Sequence, residues 1–414
     1  MSKISAEVVA DSISPQGERL TSFLITFPRI ILSEINTHRM LSKNTSSSRA
    51  IPFSKMVETV VNNPFIPLAW QKNHPGMQGT EYLSHTEKYN LVGFMSVMID
   101  TLQNYGTGTE EFEKYSKKVE EKVQIINTLL QEHLHLSKTL DEWWLFARNK
   151  AVEAASIMYV FDVTKQLANR LLEPFSWTTM LITGSKSGWD NFFRLRCPSY
   201  DLGNGVIHKS RKDALKYILD NNLDKFEGLF ITELDWLLAN KGQAEIHIME
   251  LAEKIWDAKN ESTPVQLEAG QWHIPFLDKI GRFANIDLSS KVSNIEIEEN
   301  IALNMIKMSV AMGARTSYTT VGEEKEVNPE TLIGLHDKLL TWDPPHSSPF
   351  EHCARAMNED EHASFIKGKL VILNEFTEED NIEIEEPLFE SKGWCYNLKG
   401  FIPYRYLVDN SLTL

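Results

Sequence analysis

The sequence predicts an α+β fold in which an antiparallel sheet packs with long helices. Three observations point there. Two alternating stretches, Ile4–Ile13 and Leu20–Phe27, flank a Ser14–Glu18 turn containing Pro15 and Gly17, as in a hairpin. Segments further on repeat apolar residues at helical spacing over several turns. Apolar residues make up 42% of the 414 positions, with 10 Trp, 11 Tyr and 20 Phe, enough to build a sizeable core and to exclude wholesale disorder.

The elements follow in order. Pro28 suits the first turn of a helix over Arg29–Leu41, with Ile31, Ile35 and His38 on one face. A polar stretch, Asn44–Arg49, ends it, and the prolines and glycines of Asn62–Thr80 mark an irregular loop. Periodicity predicts helices over Phe112–Leu136 and Lys150–Leu172, then over Arg211–Leu219, Ile231–Ala239, Gln243–Ala258, Ile301–Met308 and Glu330–Leu340. Lys259–Phe276, with Pro264 and Pro275, is the best candidate for a boundary between domains. The acidic run Glu375–Glu386 reads as a solvated loop.

Charge narrows the function classes. With 42 Lys and Arg against 57 Asp and Glu, the net charge is −15 and the pI about 5.3. That balance argues against a general nucleic-acid binder and against docking on anionic membranes. Cys197, Cys353 and Cys395 form no CxxC pair, which excludes a disulfide framework and a Cys-rich zinc site. No charged-then-apolar leader is read, and the longest apolar stretch, Leu91–Ile99, is too short to span a bilayer. The expectation is a soluble, cytoplasmic protein.

Several common motifs fail. Gly184-Ser185-Lys186-Ser187 has Ser where a phosphate loop needs Gly before Lys. His133 and His135 fall on different sides of a helix, and Gly203-Asn204-Gly205 reads as a tight turn. No metal site is expected.

Four constellations survive, and the first two can be read from charge alone. From Asn36 to Lys55 there are four Lys or Arg and no acid, interleaved with hydroxyls and amides. Such a mixture suits a phosphate held by charge-assisted hydrogen bonds, and equally a solvated helix end with a Ser-rich loop. Arg170, near a helix end stopped by Pro174, and Arg196, after Phe192-Phe193, are either anion ligands or ordinary surface arginines.

The first constellation resembles the Arg-His-Arg-x-x-Ser-x-Asn-Glu-x-Ser-x-Arg-Tyr motif of flavin-dependent thymidylate synthases. It matches at His38, Arg39, Ser42, Asn44, Ser47 and Arg49, and departs at Thr37, Thr45 and Ala50. The blocks around Arg170 and from Asn191 to Arg196 resemble that family's Ala-Arg-x-x-Leu-Pro and Asn-Phe-Leu-x-Leu-Arg segments. Ser185-Lys186-Ser187 stands where the family has an Asn-x-Arg pair. Gln243-Ala244-Glu245-Ile246 is similar to the start of its last long helix. Ala314-Arg315-Thr316-Ser317-Tyr318 and His346–His352 resemble blocks that the family places before its central motif, so the order here is that of a permuted relative. His346, Glu351 and His352 also have metal-ligand chemistry, and a core histidine is the plain alternative for His352.

The resemblance implies a flavin-dependent thymidylate synthase-like fold with insertions. Residues 1–258 would form the catalytic core with insertions near 60–110 and 198–242, 259–300 a connector, and 301–414 a segment folding back to complete the flavin site. It implies FAD contacts from His38, Arg39, Ser42, Asn44, Asn191, Ser317 and His352, and nucleotide contacts from Ser47, Arg49, Arg170 and Arg196. Ser47 and Arg196 would be catalytic. The implied reaction converts dUMP to dTMP with methylenetetrahydrofolate and reduced FAD, NADPH restoring the flavin, in a homo-oligomer with shared sites. Thr37 and Thr45 leave open another pyrimidine nucleotide or a hydroxymethyl product, and a non-catalytic nucleotide-binding protein is the rival from another class. No cysteine lies in the Pro-Cys-His setting of the thiol-dependent synthases, so the thiols read as structural.

Overall fold

The computed structural model describes residues 4–74, 81–105, 107–203, 205–223, 233–283, 299–319, 328–341, 347–363 and 397–409. His346, Cys395, Asn204 and the acidic run Glu375–Glu386 lie outside the described residues. The chain divides into two compact units, 66–157 and the remainder.

The larger unit is organised by one sheet. Its strands are β1 (Ser5–Ile13), β2 (Arg19–Pro28), β3 (Ser42–Thr45), β4 (Trp177–Ser185) and β5 (Val265–Gln266), in the order β5-β1-β2-β4-β3. The β1–β2 hairpin forms as its alternation predicts, closed by Ser14–Glu18 with Gly17 at φ +80°. Every pairing is antiparallel except β5 on β1. The mixed helix-and-sheet architecture is that of an α+β protein, and the sheet carries helices on both faces. Phe23 on one face meets Trp189 of helix Lys186–Arg196, and helix Ile246–Glu261 packs beside it. On the other face Val9, Leu24 and Leu181 join a core built by helices Glu299–Arg315 and Pro329–Thr341 with Phe350, Ile402 and Tyr404. A second antiparallel sheet, Trp272–His273, Ala354–Ala356 and Phe401–Pro403, adjoins that core. Residues 299–409, so far as described, therefore fold back onto the first half of the chain.

Several predicted boundaries move. The helix expected over Arg29–Leu41 is a 3-10 turn, Arg29–Ile31, followed by Leu32–Asn36 only. The Thr37 hydroxyl takes the Glu34 carbonyl, and Lys43 Nζ takes the carbonyls of Ile35, Asn36 and His38, so the helical bonding stops. Part of the polar stretch Asn44–Arg49 lies in β3, an edge strand, and helix Phe53–Asn62 precedes the irregular loop. The helix expected over Lys150–Leu172 is three pieces. Leu140–Val160 ends at a turn with Asp162 at φ +60°, Thr164 caps Lys165–Ala168, and Asn169–Phe175 is 3-10. Residues 259–276 lie within the larger unit and supply β5 and the strand Trp272–His273.

The unit 66–157 begins inside the stretch read as an insertion near 60–110. It pairs helices Leu91–Gln103 and Glu110–Leu129 and carries two short antiparallel strand pairs. The Asp141 carboxylate gathers Trp70 Nε1 and His85 Nδ1. No described helix is long and apolar enough to cross a membrane.

Candidate functional site

A cleft of about 900 Å³ opens in the larger unit, walled by the first helical turn, the end of β3 with the loop after it, the segment around Arg170 and the C-terminal helices. Arg29, Asn44, Ser47, Arg49, Arg170 and Ser317 line it, with Leu32, Leu335 and Leu339 as the apolar wall. Five of these six polar residues come from three blocks far apart in the sequence. Gln166, Tyr318 and Asn36 also line it.

The loop carrying Ser47 and Arg49 is pinned from four sides. Ser46 N donates to Thr179 O and Ser47 N to Ser317 O, each at 2.8 Å. Asn169, fully buried, donates from Nδ2 to the carbonyls of Ser48 (2.6 Å) and Ile51 (3.0 Å), and the Ser48 hydroxyl donates to Glu173. Asn44 ties β3 to the end of helix Glu299–Arg315. Its Nδ2 donates to Gly313 O and Thr316 Oγ1, and its Oδ1 accepts from Ser317 and Ser348. Asn44 thus acts first as a brace. The guanidiniums of Arg49 and Arg170, both exposed, make no hydrogen bond or ion pair among the described residues. Among the described residues no carboxylate lines the cleft.

Arg29 was not singled out by sequence, because one Arg after Pro28 resembles any helix start. Its Nη1 donates to Ser46 O at 2.8 Å, and its Nε lies 3.3 Å from Glu173 Oε1. Burial lowers its pKa, the Glu173 charge opposes that, and the Arg170 charge adds to it. A guanidinium stays charged regardless.

The remaining predicted residues lie elsewhere in the chain. His38, Arg39, Asn191 and Arg196 gather around helix Lys186–Arg196 and are not among the cleft's lining residues. Arg196 Nε donates to His38 Nε2 at 2.9 Å and its Nη2 to the Thr37 hydroxyl at 3.3 Å. His38 is buried edge-on against Phe192, and burial, then Arg196 and Lys43, push its pKa down to about 4. It is therefore neutral near pH 7, with its proton on Nδ1. Gly184 and Gly188 let this turn seat, since a Cβ at Gly184 would collide with Leu41. Arg39 is exposed, and Asn191 Oδ1 accepts from Arg194. Burial, eased by Glu351, lowers the Lys43 ammonium to about 8. Ser42 is buried and donates to Glu351, a carboxyl that burial raises against its contact with Arg405.

His352 is 1% exposed and closes a buried polar chain. Ser12 bonds His273 Nδ1 (2.9 Å), His273 Nε2 bonds Ser22 (2.8 Å), Ser22 bonds Thr183 (2.6 Å), and Thr183 bonds His352 Nδ1 (2.8 Å). His352 Nε2 has no partner among the described residues. Burial pushes His273 down to about 4 and His352 to about 3.

The other blocks do structural work. Ser185 is buried and donates to Asn397 O, and Lys186 pairs with Asp190 at the surface. Glu245 caps helix Ile246–Glu261, accepting from the backbone N–H of His247 and Ile248. The thiols of Cys197 and Cys353 are buried and burial raises both, Cys353 to about 12. No group of three or more potential metal ligands occurs among the described residues.

No family model and no curated protein matches the sequence. Among solved structures, the chain is similar to the UMP/dUMP methylase PolB from Streptomyces cacaoi bound with 5-Br dUMP. The identity is 11% and the TM-score 0.27, over 55% of this chain and 91% of the other. The same methylase bound with 5-Br UMP matches at 12% identity, with the same coverage and TM-score.

Proposed function

We propose that the protein is a flavin-dependent thymidylate synthase-like enzyme that methylates dUMP to dTMP. Methylenetetrahydrofolate supplies the carbon and reduced FAD, restored by NADPH, the hydride. The observation that carries this reading is the cleft where Arg49 and Arg170 stand unpaired beside the hydroxyls of Ser47 and Ser317. Guanidiniums unpaired among the described residues, in a concave site with no carboxylate among its described lining, call for an anion, and a phosphate accepts several such forks at once. The volume falls within the usual range for small-molecule sites, and the Leu32, Leu335 and Leu339 wall suits the flat face of a ring.

The donor set also fits a flavin nucleotide, which carries phosphates and a planar ring. Asn44 and Ser317 are its proposed contacts at the cleft, and His38, Arg39 and Asn191 those from the group around helix Lys186–Arg196; Ser42 and His352 are buried within this chain, on Glu351 and on Thr183, and are not counted among them. A bound flavin supplies hydride chemistry that no side chain provides. This chain's residues bind and orient. Arg49, Arg170 and Ser47 hold the nucleotide phosphate, which fixes where the pyrimidine lies. Arg196, oriented by neutral His38 and Thr37, stabilises negative charge building on the pyrimidine carbonyl edge. Because that pair does not line the cleft of its own chain, we propose a homo-oligomer in which it faces the cleft of another copy.

A second reading has an observation of its own. His38 and Arg196 satisfy each other, and His352 is sealed in the core, as in a nucleotide-binding protein that no longer holds a flavin. The absorption spectrum of the purified full-length protein separates the two. A yellow protein releasing FAD on denaturation supports the enzyme. A colourless protein that takes up no added FAD, yet binds dUMP, supports the second reading.

A further inference from the structure

We infer that Arg29 is a third phosphate ligand of the cleft and makes it select a dianionic phosphomonoester over a phosphodiester or an uncharged nucleoside. This rests on the nucleotide-binding reading above. Arg29 stands between two cavities. It lines the large cleft and also a smaller one of about 400 Å³, which shares Leu32 and Asn36 and has Glu173 on its wall. Glu173 and the Ser46 carbonyl hold one part of the guanidinium, and Nη1 is also 3.4 Å from the Thr178 hydroxyl. Nη2 makes no hydrogen bond among the described residues, and buried Nε has an ion-pair contact but no hydrogen bond. Half of the fork is spent on holding it still, and donors remain.

Charge supports the class of ligand. Arg29, Arg49 and Arg170 line the cleft, and among the described residues Glu173 beside Arg29 is the carboxylate that neighbours them. Three guanidiniums against one carboxylate leave two positive charges, which a phosphomonoester matches near neutral pH, carrying about −1.5 to −2. Esterifying a second oxygen removes one charge and one of the three oxygens that three forks can share. Glu173 acts through Arg29 and is a positioning residue.

The test is calorimetric titration of the full-length protein, wild type, Arg29→Gln and Arg29→Lys, with dUMP, its 5′-methyl phosphodiester and deoxyuridine, thermal midpoints being recorded alongside. Wild type should prefer dUMP to the diester by roughly tenfold or more. Arg29→Gln should weaken dUMP by about 10–100-fold, the loss of a hydrogen bond to a charged group. It should also shrink that preference to within about threefold and leave deoxyuridine unchanged. Arg29→Lys keeps the charge without the fork and should fall between; it serves if Arg29→Gln does not fold. Wild type that binds dUMP, with folded variants keeping the full preference, overturns the Arg29 assignment alone. Wild type that binds none of the three ligands overturns the nucleotide reading and this inference with it.

Discussion

Replacing Asn169 by Ala should release the loop that carries Ser47 and Arg49. Asn169 is fully buried and its Nδ2 is the side-chain donor to the carbonyls of both Ser48 and Ile51. Ala removes both bonds and strands two buried acceptors, and each stranded group costs about 1–3 kcal/mol. Partial relaxation toward water trims the sum, so a loss of about 2–4 kcal/mol is expected against a typical total of about 5–15 kcal/mol. Asn169→Asp should be worse than Ala, because a carboxylate cannot donate and would face two carbonyl oxygens. Urea unfolding followed by tryptophan fluorescence reads the order, wild type above Ala above Asp. Calorimetry should show dUMP binding weakened about tenfold or more by the Ala variant, as the Arg49 contact loses its fixed geometry. An Asp variant as stable as wild type, or unchanged binding in the Ala variant, would refute the claim that Asn169 pins the site.

Three further outcomes are expected. Arg170→Ala should weaken dUMP binding by about 1.5–3 kcal/mol, whereas Arg196→Ala should lower turnover more than binding; equal, negligible effects of both contradict the assigned roles. The buried thiols of Cys197 and Cys353 should react slowly with a thiol reagent in the native state, and Cys197→Ser should leave turnover in the folded fraction intact. A folded Cys197→Ser protein that keeps its ligands but loses all chemistry would restore a thiolate mechanism. His273 and His352, held below the ordinary 6.5 at about 4 and about 3, bind protons in the unfolded chain before they do in the folded one. Stability should therefore be full above pH 6.5 and fall as pH drops toward 4; imidazole NMR showing either ring protonated in the folded protein at pH 6 would contradict this.

The hairpin was legible because two runs rich in strand formers flank a short turn carrying Pro15 and Gly17, and the C-terminal helices because their apolar period runs several turns. The central strand β4 was not. Its Trp177–Ser185 sequence is buried on both faces along most of its length, so it lacks alternation and merges with the helix after it. Helix Arg29–Leu41 was overextended because Ile31, Ile35 and His38 do share a buried side, and period alone cannot register that Lys43 folds back to take the helix-end carbonyls. At the site, Arg49 and Arg170 were found through local charge and resemblance. Arg29 and Asn169 matter through partners 17 to 149 positions away, which no local pattern displays. The division of the predicted residues into a cleft group and a His38–Arg196 group was likewise invisible, since sequence order carries no distances.

The most direct test of the central claim is mass spectrometry of the nucleotide pool after the full-length protein is incubated with dUMP, methylenetetrahydrofolate, NADPH and FAD. The expected product is dTMP, formed only when dUMP, methylenetetrahydrofolate and NADPH are all supplied and strongly reduced by Arg196→Ala. Recovery of dUMP alone from protein that demonstrably binds it would contradict the enzyme reading, and a hydroxymethyl nucleotide in place of dTMP would contradict the product assigned to it.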